Sequence, residues 1–149
     1  MTRSALDPNT EHTLILIKPD AYRRGLVGEI LARCERKGYV ISALSVVEAT
    51  PDQLEAHYAE HVAKHFYADL ARYMMSSPLV AAVITGEQVV AGVRCLTGGT
   101  QPTQADPGTI RGDYGRDWGS GTVENVIHAS DSPASAEREI AIWFPELVR

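Results

Sequence analysis

Apolar positions along the chain follow two rhythms, and the switches between them mark the elements. Thr13 to Ile17 is an unbroken apolar run, the signature of a buried strand, and Lys18-Pro19-Asp20 ends it. Val27, Ile30, Leu31 and Cys34 then recur at three- and four-residue steps, which predicts a helix, with Gly38 placed to stop it. Val40 to Val47 is apolar and β-branched, hence a second strand. Thr50-Pro51-Asp52-Gln53 opens another helix: Thr50 can cap, Pro51 suits the first helical position, and Gln53 can close a capping box. Leu54, His57, Tyr58 and His61 would share one face of it. Phe66, Leu70, Tyr73 and Met74 form a second helical stripe, which Ser76-Ser77-Pro78 breaks. Leu79 to Ile84 is a third buried strand, Gln88 to Leu96 a short helix, and Val123 to Ile127 a fourth strand. Ser132 caps a last helix with Pro133 at its first position, and Ala136, Ile140, Trp143 and Phe144 make its inner face.

The order is β-α-β, then helices, then β-α-β with a terminal helix. Two such halves predict an α+β single domain, a ferredoxin-like split βαβ fold with a four-stranded antiparallel sheet and helices packed on it. A length of 149 residues fits one domain. Residues 1–11, with Pro8 and Asn9, read as a flexible lead-in to a domain over 12–149. Thr97 to Gly121, rich in Gly, Pro, Thr and Asp, is expected to lack structure of its own, and so long a stretch inside a compact domain is functional or disordered.

Charge narrows the partners. A formal net charge of -5 argues against nucleic acid or a membrane surface, which select a basic face. A small anionic ligand needs only a few local cations and is not excluded. Met1 to Glu11 has no apolar run of the signal-peptide kind, and no stretch is long enough to span a membrane, so the cytoplasm is the expected compartment. Cys34 and Cys95 lie in helix-like apolar contexts and read as two buried thiols.

The common phosphate cradles are missing: there is no G-x-x-x-x-G-K-[ST] and no strand-linked G-x-G-x-x-G. Phosphate chemistry would therefore need side-chain cations and its own nucleophile. Asn125 to Ser132 is the most informative segment, because an apolar strand delivers His128 at its end, just before a helix start. Rigid scaffold at such a place fixes a side chain, and a neutral imidazole is a capable phosphate acceptor. A carboxylate on its second nitrogen would set the tautomer, and Glu139 and Ser130 are candidates to orient it. Lys18 at the end of the first strand, with Arg94 and Arg111 flanking the Gly/Thr-rich stretch, could supply cations, and guanidinium forks suit phosphate oxygens. Thr100 could add a hydroxyl, and Phe66 could stack on a base. For each of these a bland reading also stands: a structural histidine, an ordinary turn, solvated arginines, a core aromatic. His57, His61 and His65 fall at i, i+4 and i+8, which would put a histidine row on one helix face, although no carboxylate or cysteine completes a metal site there.

Several of these segments together resemble the nucleoside diphosphate kinase family, from about Glu11 to Leu147. The matching motifs are Ile17-Lys18-Pro19-Asp20, then Arg24-Gly25-Leu26-Val27-Gly28-Glu29-Ile30, then Pro107-Gly108-Thr109-Ile110-Arg111-Gly112-Asp113, and Asn125 to Ser132. The resemblance implies ping-pong transfer of a terminal phosphate from nucleoside triphosphates to diphosphates, with His128 as nucleophile. It implies phosphate contacts from Lys18, Arg94, Thr100 and Arg111, and sugar contacts from Lys18 and Asn125. Phe66 would stack on the base with little selection, with Leu70 beside it in the nucleotide site. Tyr58 would sit beside His128 and help position the Lys18 region, and Glu139 and Ser130 would orient the imidazole. Mg²⁺ would arrive on the nucleotide phosphates and not in a protein cage. The resemblance also implies a homo-oligomer, tetramer or hexamer, touched by the long Gly/Thr/Pro loop. A binding module that keeps the fold without the chemistry is the rival reading.

Three features depart from the family pattern, one being that the sequence stops soon after Phe144, without the longer tail of many members. The connection from Asp113 to Asn125, containing Gly115 to Gly121 and Trp118, is a few residues longer than usual. Glu124 stands where a basic residue commonly precedes the Asn. The longer connection is expected to be an exposed excursion beside the nucleotide or at a subunit contact.

Overall fold

The computed structural model describes residues 6–148. Within them the chain runs β1 (His12–Ile17), α1 (Pro19–Arg23), α2 (Val27–Arg36), β2 (Val40–Val47), α3 (Pro51–His57), α4 (Tyr67–Met74) and β3 (Leu79–Thr85). It continues with α5 (Val89–Thr97), α6 (Ile110–Tyr114), β4 (Ile127–Ala129), α7 (Pro133–Trp143) and a closing 3-10 turn at Pro145–Leu147. The four strands form one sheet in the order β2-β3-β1-β4, and each neighbouring pair is antiparallel. This is the split βαβ arrangement expected from the sequence.

The unbroken apolar run of β1 has a direct structural cause. The strand lies inside the sheet and is covered on both sides, so both sets of alternating side chains are buried. Ile15 and Ile17 pack with Ile30 and Cys34 of α2 and with Val89 and Val93 of α5. Leu14 and Leu16 pack on the other face with Leu54, Met74, Ile140 and Trp143. The sheet is thus the middle layer of three, and α7 reaches the site from the second face. β2, by contrast, is an edge strand, with Val40 and Val46 exposed.

The capping signals behave as read. Thr50 and Gln53 close a reciprocal capping box at α3, and Ser132 accepts from the Ser135 amide at the start of α7. Gly38, at φ +100°, takes the left-handed turn that ends α2 and feeds β2.

Several boundaries differ from expectation. Pro19-Asp20 does not merely end β1 but opens the short helix α1, since Pro fits a first helical turn. α3 ends at His57, so Tyr58 and His61 lie in the following turns and no continuous helix carries His57, His61 and His65. Thr97 to Gly121 is not structureless: Thr109 caps α6 by accepting from the Gly112 amide. The fourth strand is Ile127–Ala129 instead of Val123–Ile127. The apolar, β-branched run misled there because Val126 adopts φ +61° and the Ile127 amide donates to the Asn125 carbonyl at 2.7 Å, a tight three-residue turn. Left-handed backbone at a β-branched residue is strained and is sustained only where the surroundings impose it. Cys34 is buried, as expected, but Cys95 is exposed because it lies on the outward side of α5. Of the expected lead-in, residues 1–5 lie outside the described residues, while Asp7 caps a turn by accepting from Asn9 and Thr10.

Candidate active site

The tight turn at Val126 gathers the site. The Val126 carbonyl accepts from the Lys18 amide at 2.8 Å, which fastens the end of β1 to the start of β4. Across that join the Lys18 Nζ donates to Asn125 Oδ1 at 2.7 Å, and Asn125 Nδ2 donates to the Thr100 carbonyl at 3.0 Å. Lys18 and Asn125 are both buried. Burial, with repulsion from Arg111, pushes the Lys18 ammonium down to about 7, and Asp20 only partly opposes this.

Arg111 is buried and held on three carbonyls. Its Nη2 donates to Ile127 at 2.6 Å, Nε to Asn125 at 3.3 Å and Nη1 to Gly98 at 3.3 Å. Its pKa falls to about 10 through burial and the nearby Arg94. Such a guanidinium holds its charge beside neutral carbonyls with no carboxylate attached. Arg94 is exposed on α5 and donates to the Ala129 carbonyl at 3.2 Å. Three cations therefore surround the strand that carries His128.

His128 is the middle residue of β4, not a residue beyond its end. Its Nε2 lies 2.6 Å from Glu139 Oε1, and the same oxygen accepts from Ser130 Oγ at 2.9 Å. Glu139 is almost fully buried on α7, and Ser130 is completely so. A carboxylate accepts only, so Nε2 carries the proton and Nδ1 keeps its lone pair. Burial lowers the pKa of His128 below the ordinary 6.5, Glu139 works against that shift, and Lys18 and Arg111 add to it. The arrangement is a neutral imidazole of fixed tautomer, with a basic ring nitrogen and flanking cations.

The other expected residues are placed as follows. Phe66 stands at the start of α4 and is 39% exposed, with His61, His65 and the Lys64 ammonium near its ring, and Leu70 follows one turn later, half-buried. Thr100 joins the site through its backbone carbonyl, while its residue is exposed. Tyr58 is one ring removed from His128: it meets His57 edge-on, and His57 in turn meets His128. The Tyr58 hydroxyl is buried without a hydrogen-bond partner among the described residues, and its pKa is raised, by burial first and then by Glu139.

Three residues in this neighbourhood carry no site role on sequence grounds. Asp20 is buried and accepts from the Tyr73 hydroxyl, which ties α1 to α4, the helix that begins beside Phe66. His57 and Trp143 form the aromatic wall behind His128. His57 was legible as a histidine on the inner face of α3, but its proximity to His128 depends on how α3 meets α7, which no local pattern encodes.

Comparison with known proteins gives a consistent family. The family model described as nucleoside diphosphate kinase matches residues 11–148. The nucleoside diphosphate kinase of Moorella thermoacetica is 55% identical over 134 residues, covering 90% of this chain and 94% of that protein. The Rhodococcus jostii nucleoside diphosphate kinase is 55% identical over 139 residues, covering 93% and 97%. Among solved structures, a Borrelia burgdorferi nucleoside-diphosphate kinase with bound vanadate and ADP, described as a transition state mimic, superposes with a TM-score of 0.85 at 33% identity, covering 94% of this chain and 91% of that one. The apo enzyme of Encephalitozoon cuniculi superposes at 0.84 with 40% identity, covering 90% and 88%.

Proposed function

The chain belongs to the nucleoside diphosphate kinase family, and from that footing we propose that it moves the terminal phosphate between nucleotides through a phosphohistidine at Nδ1 of His128. The observation that carries the assignment is the 2.6 Å contact of His128 Nε2 with Glu139, which leaves Nδ1 as the free nucleophilic nitrogen.

The chemistry runs in two matched halves. The Nδ1 lone pair attacks the terminal phosphorus of a bound triphosphate, an N–P bond forms, and the bond to the bridging oxygen breaks, releasing the diphosphate. The proton on Nε2 stays in place, and Glu139 offsets the positive charge that the ring acquires. A second diphosphate then attacks the phosphohistidine and reverses the step. Phosphoryl transfer asks a protein mainly for positioning and charge, and Lys18, Arg94 and Arg111 supply the charge. Lys18 and Asn125 would meet the sugar and phosphates together, with Thr100 lending its hydroxyl to the phosphates.

Magnesium fits as a companion of the nucleotide, where it neutralises phosphate charge. Among the described residues the cluster of potential metal ligands is His57, His128 and Glu139, two imidazoles and one carboxylate, which is not the oxygen set that Mg²⁺ prefers. Glu139 is already engaged by His128 and Ser130. The ion is therefore assigned to the phosphates.

Base tolerance follows from Phe66 as the main base contact, with Leu70 behind it, since every base offers a face to stack on. Assembly into a tetramer or hexamer agrees with the exposed Val40 and Val46 on the edge strand β2. A cytoplasmic setting agrees with substrates that are nucleotides and with the lack, among the described residues, of a helix long and apolar enough to cross a membrane.

The test is direct. Incubation with Mg-ATP should place acid-labile, alkali-stable phosphate on His128, mapped by mass spectrometry, and His128→Ala should abolish both label and exchange while melting normally. Label on that variant would refute the assignment.

A further inference from the structure

The wall behind His128 is built to a pattern that phosphoryl transfer as described does not use. His57, the last residue of α3, is buried and surrounded by three aromatic rings. The centroid of His128 is 4.4 Å away at 78°, that of Tyr58 4.7 Å at 86°, and that of Trp143 5.8 Å at 72°. All three contacts are edge-on, the geometry that aromatic quadrupoles favour. Trp143 Nε1 donates to His57 Nδ1 at 3.1 Å. An indole N–H can only donate, so His57 Nδ1 must accept, and a neutral His57 carries its proton on Nε2.

Glu139 and Trp143 are four residues apart on α7 and therefore lie on one face of that helix. Glu139 accepts a hydrogen bond from Nε2 of His128, and Trp143 donates one to Nδ1 of His57. A single helix face thus sets the tautomers of two imidazoles that touch each other. Burial first, then the positive charge that His128 can take on and those of Lys18 and Arg138, hold the His57 pKa down to about 2, so the ring stays neutral at working pH. A cation at this spot would repel the imidazolium that phosphorylation creates on His128; a neutral ring does not.

We propose that His57, locked by Trp143, is a positioning residue for the phosphorylation of His128, bracing its imidazole so that Nδ1 stays turned towards the nucleotide. The proposal rests on the phosphohistidine reading above. Glu139 fixes one atom of the His128 ring, which still allows the ring to tilt about that contact; a second ring packed edge-on removes that freedom. Small losses of alignment at a reacting atom are costly.

The experiment compares wild type with His57→Ala, His57→Phe and Trp143→Phe. Four quantities are read: the single-turnover rate of His128 labelling by Mg-ATP, KM for ADP, thermal melting, and the ring ¹⁵N shifts of both histidines. His57→Ala should slow labelling by about tenfold or more with KM for ADP within about twofold, and should replace the single Nε2–H signature of His128 by a mixed one. His57→Phe, which restores a packed ring, should recover part of the rate. Trp143→Phe keeps the packing but frees the tautomer of His57, so it should mix the His57 signal and slow labelling less than His57→Ala. Should His57→Ala not fold, Trp143→Phe decides alone. Wild-type labelling rates in these variants, or slowing that tracks only lost melting temperature with the His128 signature intact, overturns the brace. Phosphate found on another residue of the wild type overturns the phosphohistidine reading itself, and with it this inference.

Discussion

Lys18 and Asn125, 107 positions apart, meet inside the protein with the ammonium donating to the side-chain carbonyl at 2.7 Å. The contact spans the join between β1 and β4 and holds a cation where, among the described residues, a neutral oxygen is its direct partner. Asp20 is close enough to stabilise the charge, yet it does not restore the ordinary lysine range. A bound phosphate would.

That difference predicts proton uptake on binding. In the free protein Lys18 loses its proton as pH rises through about 7, whereas an anion beside it would keep it charged. ADP binding at pH 8 should therefore take up a fraction of a proton, and affinity should weaken as pH climbs above 7. Calorimetry in buffers of different ionisation heat measures the uptake, and Lys18→Gln should abolish it. The sign for stability is opposite. The folded pKa lies below the unfolded one, so between about pH 7 and the ordinary lysine value of 10.5 the unfolded chain holds more protons. The cost of burying this charge is present in full below pH 7 and fades across that window as pH rises.

Glu139 sets the acid limb of the rate. Because burial keeps the His128 pKa below 6.5, labelling should stay level from pH 8 to below 6.5 and fall only as the ring protonates. Glu139 raises that pKa, so Glu139→Gln should move the acid limb to lower pH while cutting the maximal rate on the order of 100-fold through lost charge stabilisation. Ser130→Ala removes one donor to the same oxygen and should cost about 1 kcal/mol. A pH–rate profile for labelling, run on the three proteins, checks both statements; an unmoved limb in Glu139→Gln would remove Glu139 from the mechanism.

Much of this was legible in the sequence, for reasons that can be named. Lys18 and Arg111 sit at element starts, and His128 within a three-residue strand, whose signals are local: a proline, a capping threonine, an apolar run. The capping box at Thr50 and the Ser132-Pro133 start of α7 need only a few neighbouring residues to specify them. What stayed hidden depends on distant packing. The turn at Val126 is imposed by the join to Lys18 and runs against its own β-branched preference. The end of α3 at His57 coincides with the aromatic cluster formed with α7, and the link from Tyr73 to Asp20 joins residues 53 apart. Cys95 looked buried because its neighbours are apolar, but a helix covered on one side turns some of its positions outward.

Arg94 and Arg111 should separate stability from binding. Arg94 is exposed and holds one carbonyl, so Arg94→Ala should melt near wild type while weakening kcat/KM by about 2 kcal/mol. Arg111 is buried on three carbonyls, so Arg111→Ala should lose comparable turnover and also destabilise the fold by roughly 2–4 kcal/mol, since those carbonyls lose a charged donor. Arg111→Lys cannot span the three acceptors and should rescue little of either. Denaturant melts and steady-state kinetics on the three variants suffice; equal melting of Arg94→Ala and Arg111→Ala would contradict the burial argument.

Trp118 gives the last prediction, because the longer connection places it in an unexpected setting. The ring is 48% exposed, yet two guanidiniums of its own domain lie near its face, Arg116 at 4.1 Å and Arg24 at 5.7 Å from the centroid. Arg24 also donates to the Tyr114 carbonyl at 2.6 Å, which anchors it beside the base of the loop. Asp117 accepts from the Gly119 amide, and Gly119 and Gly121 take positive φ, so the loop turns tightly after the tryptophan. Packing against its own arginines thus accounts for the tryptophan without a neighbouring subunit or a nucleotide. Exposed cation–π contacts are worth about 0.5–1 kcal/mol, so Trp118→Ala should cost no more than roughly 1 kcal/mol. A double-mutant cycle with Arg24→Ala should return a small favourable coupling. Sedimentation and ADP affinity should be unchanged in Trp118→Ala. A smaller assembly would place the exposed side of the ring against a second subunit, and weaker ADP binding would place it against the nucleotide; either outcome replaces the self-packing account.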